Sequence, residues 1–119
     1  MQNPQKGQLA HINVFTPKPG MLDEFIATQL DGASTLGEIP GFRGSRLYRA
    51  TDGSHAIQIA YFDDEGAHRR FMQTPEFQRQ RQKLLPLLEG ANPGFYTLVS
   101  VRDEGPNAES LAIAGAAGG

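Results

Sequence analysis

The chain has 119 residues, a formal net charge of −2, 39% hydrophobic residues and no cysteine. That length makes a single domain, able to bury roughly two-thirds of the surface its unfolded chain exposes. The small net charge gives no pull toward nucleic acid or anionic membrane, and without cysteine there are no disulfides, no thiolate metal ligands and no thiol chemistry.

The opening residues MQNPQKGQLAHINV lack the apolar run of a signal peptide. No stretch approaches the roughly 20 apolar residues of a membrane span, so a cytoplasmic protein is expected. Residues 1–7 are expected to be a flexible N-terminus and 8–103 the folded domain. Residues 104–119, with Gly105-Pro106-Asn107 followed by AIAGAAGG, have little to bury and are expected to form a disordered tail.

Residues 8–15 (QLAHINVF) alternate in polarity and read as a strand, closed by Thr16-Pro17-Lys18-Pro19-Gly20. A helix follows, because Leu22, Phe25, Ile26, Gln29, Leu30, Ala33 and Leu36 recur at intervals of three and four. Gly37 stands where a helix C-terminus favours glycine. Pro40-Gly41 separates this helix from a hairpin whose turn, Thr51-Asp52-Gly53-Ser54, carries the Asp-Gly pair that favours positive φ.

The strand over 54–62 puts Gln58, Ala60 and Phe62 on one face and Ile57, Ile59 and Tyr61 on the other. Both faces are largely apolar, so the sheet needs cover on both sides. Asp63 and Asp64 offer a carboxylate cap to a second helical region. It breaks at Thr74-Pro75, where threonine caps and proline takes the first helical position. Phe77, Arg81, Leu84, Leu85 and Leu88 mark the stripe of the next helix, Asn92-Pro93-Gly94 ends it, and Phe95–Val101 (FYTLVSV) reads as the last strand. The order β-α-β-β-α-β is the ferredoxin-like split βαβ pattern, an α+β fold with an antiparallel sheet.

The basic residues Arg69, Arg70, Arg79, Arg81 and Lys83 are interspersed with Asp63, Asp64, Glu65 and Glu76 and have no ladder of aromatics beside them, so they read as a solvated helix face rather than an RNA-binding patch. No His and carboxylate spacing suits a metal.

With Pro40-Gly41-Phe42, the Thr51-Asp52-Gly53 turn, Ala60-Tyr61-Phe62 leading into Asp64-Glu65, and Phe71 followed by Thr74-Pro75, the chain resembles the antibiotic biosynthesis monooxygenase family of dimeric α/β-barrel proteins over residues 8–102. The resemblance implies a homodimer paired sheet face to sheet face, with Ile12, Val14, Ile57, Ile59, Leu98 and Ser100 lining the barrel. The helix-facing side would then carry His11, Asn13, Phe15, Tyr48, Gln58 and Phe62, together with His68, Phe71 and Arg81 from the helices. That mixture of aromatic and convergent polar groups suits a planar ligand.

The resemblance further implies a cofactor-free oxygenase that deprotonates a small aromatic phenol or quinol and lets it react with O2, with no metal or flavin. Arg81 matches an arginine of the polyketide-oxidising members. Tyr48, Gln58, Phe62 and His68 stand where those members have histidine, asparagine, tryptophan and tyrosine. Haem-degrading relatives have an asparagine that Asn13 matches, but Phe71 and Arg81 replace their tryptophan and their iron-ligating histidine.

His68, near-neutral in its ordinary pKa, is the expected general base. Asn13 and Arg81 complete the expected catalytic set, and Tyr48, Gln58, Phe62, Phe71, His11 and Phe15 are the expected substrate contacts. A non-catalytic ligand-binding member of the fold, or an isomerase- or cyclase-like relative, would use the same pocket.

Overall fold

The computed structural model describes residues 9–102. The elements are β1 (Leu9–Pro17), α1 (Leu22–Leu36), β2 (Phe42–Arg49), β3 (Ala56–Phe62), α2 (Glu65–Met72), α3 (Pro75–Leu84), a 3₁₀ turn (Leu85–Leu87) and β4 (Leu88–Thr97). The four strands form one antiparallel sheet in the order β2-β3-β1-β4, the ferredoxin-like arrangement expected from the sequence. The expectations for residues 1–7 and 104–119 lie outside the described residues.

Local chemistry accounts for most of the boundaries. Asp64 caps α2, its Oδ1 accepting from the Ala67 N–H at 2.8 Å, and the Thr74 hydroxyl caps α3 by accepting from the Phe77 N–H at 3.2 Å, with Pro75 opening the helix. The β2–β3 hairpin closes through the Gly53 N–H to Ala50 O at 2.9 Å, and Gly53 takes φ +76° as the Asp-Gly pair predicts. Gly37 ends α1 with helical angles, φ −65°, so the left-handed freedom of glycine is not used there.

The buried residues divide into two clusters on the helix-facing side of the sheet. Leu9, Ala60, Phe62, Ala67 and Phe71 form one, at the end where β1 pairs Leu9 with Phe62. Leu22, Phe25, Ala56 and Leu84 form the other, at the end where Phe15 pairs with Ala56. Between them the β1–β3 ladder places His11 opposite Ala60 and Asn13 opposite Gln58. Side chains directly opposite in a ladder share a face, so the sequence of this face is apolar, polar, apolar along both strands.

Three expectations are corrected. β2 carries a bulge: Phe42 pairs with Phe62 but Ser45 with Ala60, so three steps on β2 match two on β3, and Gly44 takes φ +112° there. The extra residue inverts the alternation, putting Leu47 opposite Gln58 on the helix-facing side and Tyr48 opposite Ile57 on the outer face. The last strand begins at Leu88 rather than Phe95 and ends at Thr97, so Leu98 and Ser100 lie beyond it. Asn92-Pro93-Gly94 is inside that strand, which is possible because β4 is an edge of the sheet, where a residue without an N–H is tolerated. Finally, α1 turns Leu30 to solvent at 63% exposure, and its inward stripe runs through Leu22, Phe25, Ile26 and Gln29.

Candidate functional site

The helices leave one strip of the sheet uncovered. On the helix-facing side of β4, the partners of Phe15, Asn13 and His11 are Ala91, Pro93 and Phe95. All three are exposed, Phe95 to 46%. An open-sided cleft therefore runs beside β1, with His11 and Asn13 along its floor and α2 over one end.

His11 comes from β1 and His68 from α2, where His68 sits on the first turn with its N–H donating to Asp64 O at 3.2 Å. Their imidazole rings meet with centroids 4.5 Å apart and planes 30° from parallel. Phe62 presents an edge to His68 at 5.1 Å. Phe95 lies perpendicular to His68 at 4.9 Å and 5.3 Å from His11.

Burial, and then the charge of His68, push His11 down to about 4. Burial, and then Arg69, hold His68 below its usual value. Both shifts follow from taking an imidazolium partly out of water with no carboxylate against it. Two unit charges 4.5 Å apart repel by about 4 kcal/mol at an effective dielectric constant of about 20, so the pair resists a second proton.

Beside the histidines lie two side-chain amides. Gln58 is held by Gln29 of α1, whose Nε2 donates to Gln58 Oε1 at 2.6 Å. Asn13, opposite Gln58, has a buried Oδ1 without a hydrogen-bond partner among the described residues. A buried acceptor left unpaired costs about 1–3 kcal/mol, a cost that stable packing alone does not explain. The set brings two imidazoles, the half-exposed Phe95 ring and two side-chain amides to one place, and an unprotonated imidazole there is suited to taking a proton from a hydroxylated aromatic.

His11, His68, Asn13 and Gln58 are thus brought together, while the other expected residues are distributed differently. Phe62 is 1% exposed and Phe71 7%, and they pack with Phe42 at 5.6 and 5.5 Å and with each other at 5.1 Å, as core behind the histidines rather than a surface for a ligand. Phe15 packs on Phe25 at 4.9 Å in the second cluster, at the far end of the cleft. Tyr48 is 51% exposed on the outer face of the sheet, away from the cleft.

Arg81 is exposed, and the residue that α3 buries is its neighbour Gln80, 5% exposed, whose Nε2 donates to Thr28 O on α1 at 2.8 Å. A shallow groove at the opposite end of the sheet, between Lys18, Leu22, Asp23, Arg49 and Ser54, holds none of these residues, and its charges pair through Arg49 Nη1 and Asp23 Oδ1 at 2.8 Å.

Two site residues escaped the sequence reading. Phe95 had a signal, since alternation along FYTLVSV puts it on the face opposite Leu98. Gln29 had one too, lying on the α1 stripe between Ile26 and Leu36. Among the described residues no three histidine, aspartate or glutamate side chains converge to hold a metal, and no helix is long and apolar enough to cross a membrane.

Among curated proteins no sequence matches this chain. Solved structures do. SnoaB of Streptomyces nogalater, described as a cofactor-independent oxygenase, is 26% identical, with 82% of this chain and 98% of that one covered at a TM-score of 0.73. PA3566 of Pseudomonas aeruginosa is 17% identical over 83% of this chain and 100% of that one, with a TM-score of 0.70. Rv0793 of Mycobacterium tuberculosis is 18% identical over 83% and 100%, with a TM-score of 0.65. The sequence profile described as antibiotic biosynthesis monooxygenase matches residues 9–83. With that match over more than half of its length, the chain belongs to the antibiotic biosynthesis monooxygenase family.

Proposed function

We propose that the protein is a cytoplasmic, cofactor-independent monooxygenase that oxidises a small aromatic phenol or quinol with O2 in the cleft over β1 and β4. The observation that carries this reading is the convergence of two weakly basic imidazoles with an unpaired, buried amide oxygen in an aromatic-walled site. Similarity to SnoaB, described as a cofactor-independent oxygenase, adds to it.

In the proposed reaction His68 accepts the phenolic proton, because a base whose pKa lies below neutral is unprotonated and ready at working pH. Asn13 and Gln58 orient the oxygen, and the flat ring lies against Phe95. The phenolate passes one electron to O2. The radical pair combines to a peroxide at the ring carbon para to the oxygen, and loss of water leaves the quinone. Per turnover one O2 is consumed, one oxygen atom enters the product and the other leaves as water.

A second copy of the chain is proposed to cover the outer face of the sheet, where Ile12, Val14, Ile57 and Ile59 are only half-buried in the single chain. Ile59→Arg on that face should convert a dimer to a monomer in light scattering, and a wild type that is already monomeric contradicts the pairing.

The test of function is O2 uptake by purified protein with a panel of naphthols, anthrols and simple quinols. Protein-dependent uptake should fall by about 10²–10⁴-fold in His68→Gln, the contribution of a positioned base. Uptake no faster than the blank across the panel contradicts the oxygenase reading and leaves a ligand-binding protein.

A further inference from the structure

The closely packed imidazoles raise a question that the reaction alone does not answer, namely why a site that needs one base contains two. The ring centroids lie 4.5 Å apart with planes 30° from parallel, close enough for a charge on one ring to bear directly on the other. Phe62 and Phe95 close on them at steep angles and supply no polar partner.

We propose that His11 and His68 work as one proton site, a closely packed pair uncharged at rest and singly protonated when it works, so that at neutral pH the cleft admits neutral hydroxylated aromatics and rejects aromatic carboxylates. The chemistry rests on the oxygenase reading; the charge state and the selectivity do not.

The charged groups around the pair support this. On its ladder neighbours, β3 and β4, the facing residues Ala60, Phe62 and Phe95 are uncharged. α2 brings Asp64, Glu65, Arg69 and Arg70. Asp64 turns its carboxylate to the Ala67 N–H, and Glu65, Arg69 and Arg70 are exposed. Among the described residues only Arg69 acts on His68, and it acts against protonation.

No acid therefore favours a charged pair at rest, and once His68 is charged its neighbour is held neutral down to about pH 4. When a phenol binds, its O–H bond breaks and an N–H bond forms on His68. The imidazolium then lies over the neutral His11 ring beside the phenolate, so the cleft stays neutral overall. A carboxylate arrives already ionised, has no proton to give, and would sit uncompensated between Phe95 and two neutral imidazoles, an arrangement that partial burial penalises.

Two measurements on the full chain test this. In the first, the three histidines are titrated by NMR and assigned by substitution. The expected order is His68 first, below its ordinary value, then His11 near pH 4, with His11 moving upward in His68→Gln. Simultaneous titration of both near 6.5, or a His11 midpoint unmoved in His68→Gln, overturns the single-proton pair.

In the second, dissociation constants are measured for 2-naphthol and 2-naphthoate. At pH 7.5 naphthol should bind at least tenfold more tightly, and as the pH is lowered through the first histidine midpoint found by NMR naphthoate should gain severalfold as the pair takes its proton, a gain absent from the doubly substituted His11→Phe, His68→Phe protein. Equal binding at pH 7.5, or failure of naphthol to bind, overturns the selectivity. Absence of O2 uptake with both results as expected removes the oxygenase reading and leaves the pair in place.

Discussion

Replacing Phe62 separates a core residue from a ligand wall. Its ring is 1% exposed and meets Phe42 at 5.6 Å, Phe71 at 5.1 Å and His68 at 5.1 Å. Truncation to alanine removes the transfer energy of the ring, leaves a cavity and breaks these aromatic pairs, for a total cost of about 3–5 kcal/mol. A domain of this size is stable by about 5–15 kcal/mol, so Phe62→Ala should forfeit about a fifth or more of its stability. With urea slopes of about 1–3 kcal/mol per molar, the midpoint should fall by roughly 1–5 M at fixed protein concentration, which must be held constant if a second copy binds.

Phe62→Leu keeps most of the volume and should cost about 1.5 kcal/mol or less. Because the ring is sealed behind the histidines, Phe62→Leu should also leave naphthol binding within about threefold. A Phe62→Ala cost below about 1.5 kcal/mol, or a Phe62→Leu protein that keeps its stability but loses naphthol affinity tenfold, would show that Phe62 lines the cleft after all.

Acid should destabilise the fold through the histidines in a defined window. The folded state holds His11 near 4 against 6.5 in the unfolded chain, so the unfolded chain binds the extra proton. Stability is then full above pH 6.5 and falls as pH drops toward 4, at no more than about 1.4 kcal/mol per pH unit and less for partial exposure. His11→Phe should flatten the decline in thermal scans, and an unchanged slope contradicts the assignment. Arg81→Ala, at an exposed site, should change stability by less than about 0.5 kcal/mol and leave O2 uptake within threefold; a loss of 10²-fold in uptake would return arginine to the site.

Gly32 and Gln80 should couple in a double-mutant cycle. A Cβ on Gly32 would come within 2.5 Å of Gln80 Cδ. Gly32→Ala should therefore destabilise wild type by about 1 kcal/mol or more, through loss of the Thr28 bond. In Gln80→Ala it should instead stabilise, by up to about 1 kcal/mol of helix propensity. Simple additivity refutes the contact.

The parts of the site legible in the sequence are those on unbroken alternation. β1 and β3 pair without a slip from Leu9–Phe62 to Phe15–Ala56, so placing His11, Asn13, Phe15, Gln58 and Phe62 on one face needed only parity. Tyr48 was lost to one extra residue in β2, and a bulge leaves only a glycine as its trace, in a chain with 14 glycines. β4 was shortened in the reading because Asn92-Pro93-Gly94 is turn chemistry anywhere but on an edge strand, and edge position is a property of the assembled sheet.

Arg81 stands on the expected stripe, yet α3 buries Gln80 in its place, for a different reason. From Phe77 to Leu84 a helix can pass through either residue, since both 77-80-84 and 77-81-84 keep to intervals of three and four. Local pattern cannot break that tie. What breaks it is Gly32, 48 residues before Gln80 and on α1, whose missing side chain leaves room for the Gln80 amide to reach Thr28 O at 2.8 Å. An arginine turned inward there would bury a charge beside a carbonyl with no carboxylate to meet it, whereas a glutamine needs only that carbonyl, so α3 settles with Arg81 in solvent. The same reasoning marks Asn13 as the exception on the inner face. Gln58 has Gln29 and Gln80 has Thr28, but the Asn13 oxygen is buried with no donor among the described residues, and the donor it lacks is one that a hydroxylated ligand could bring.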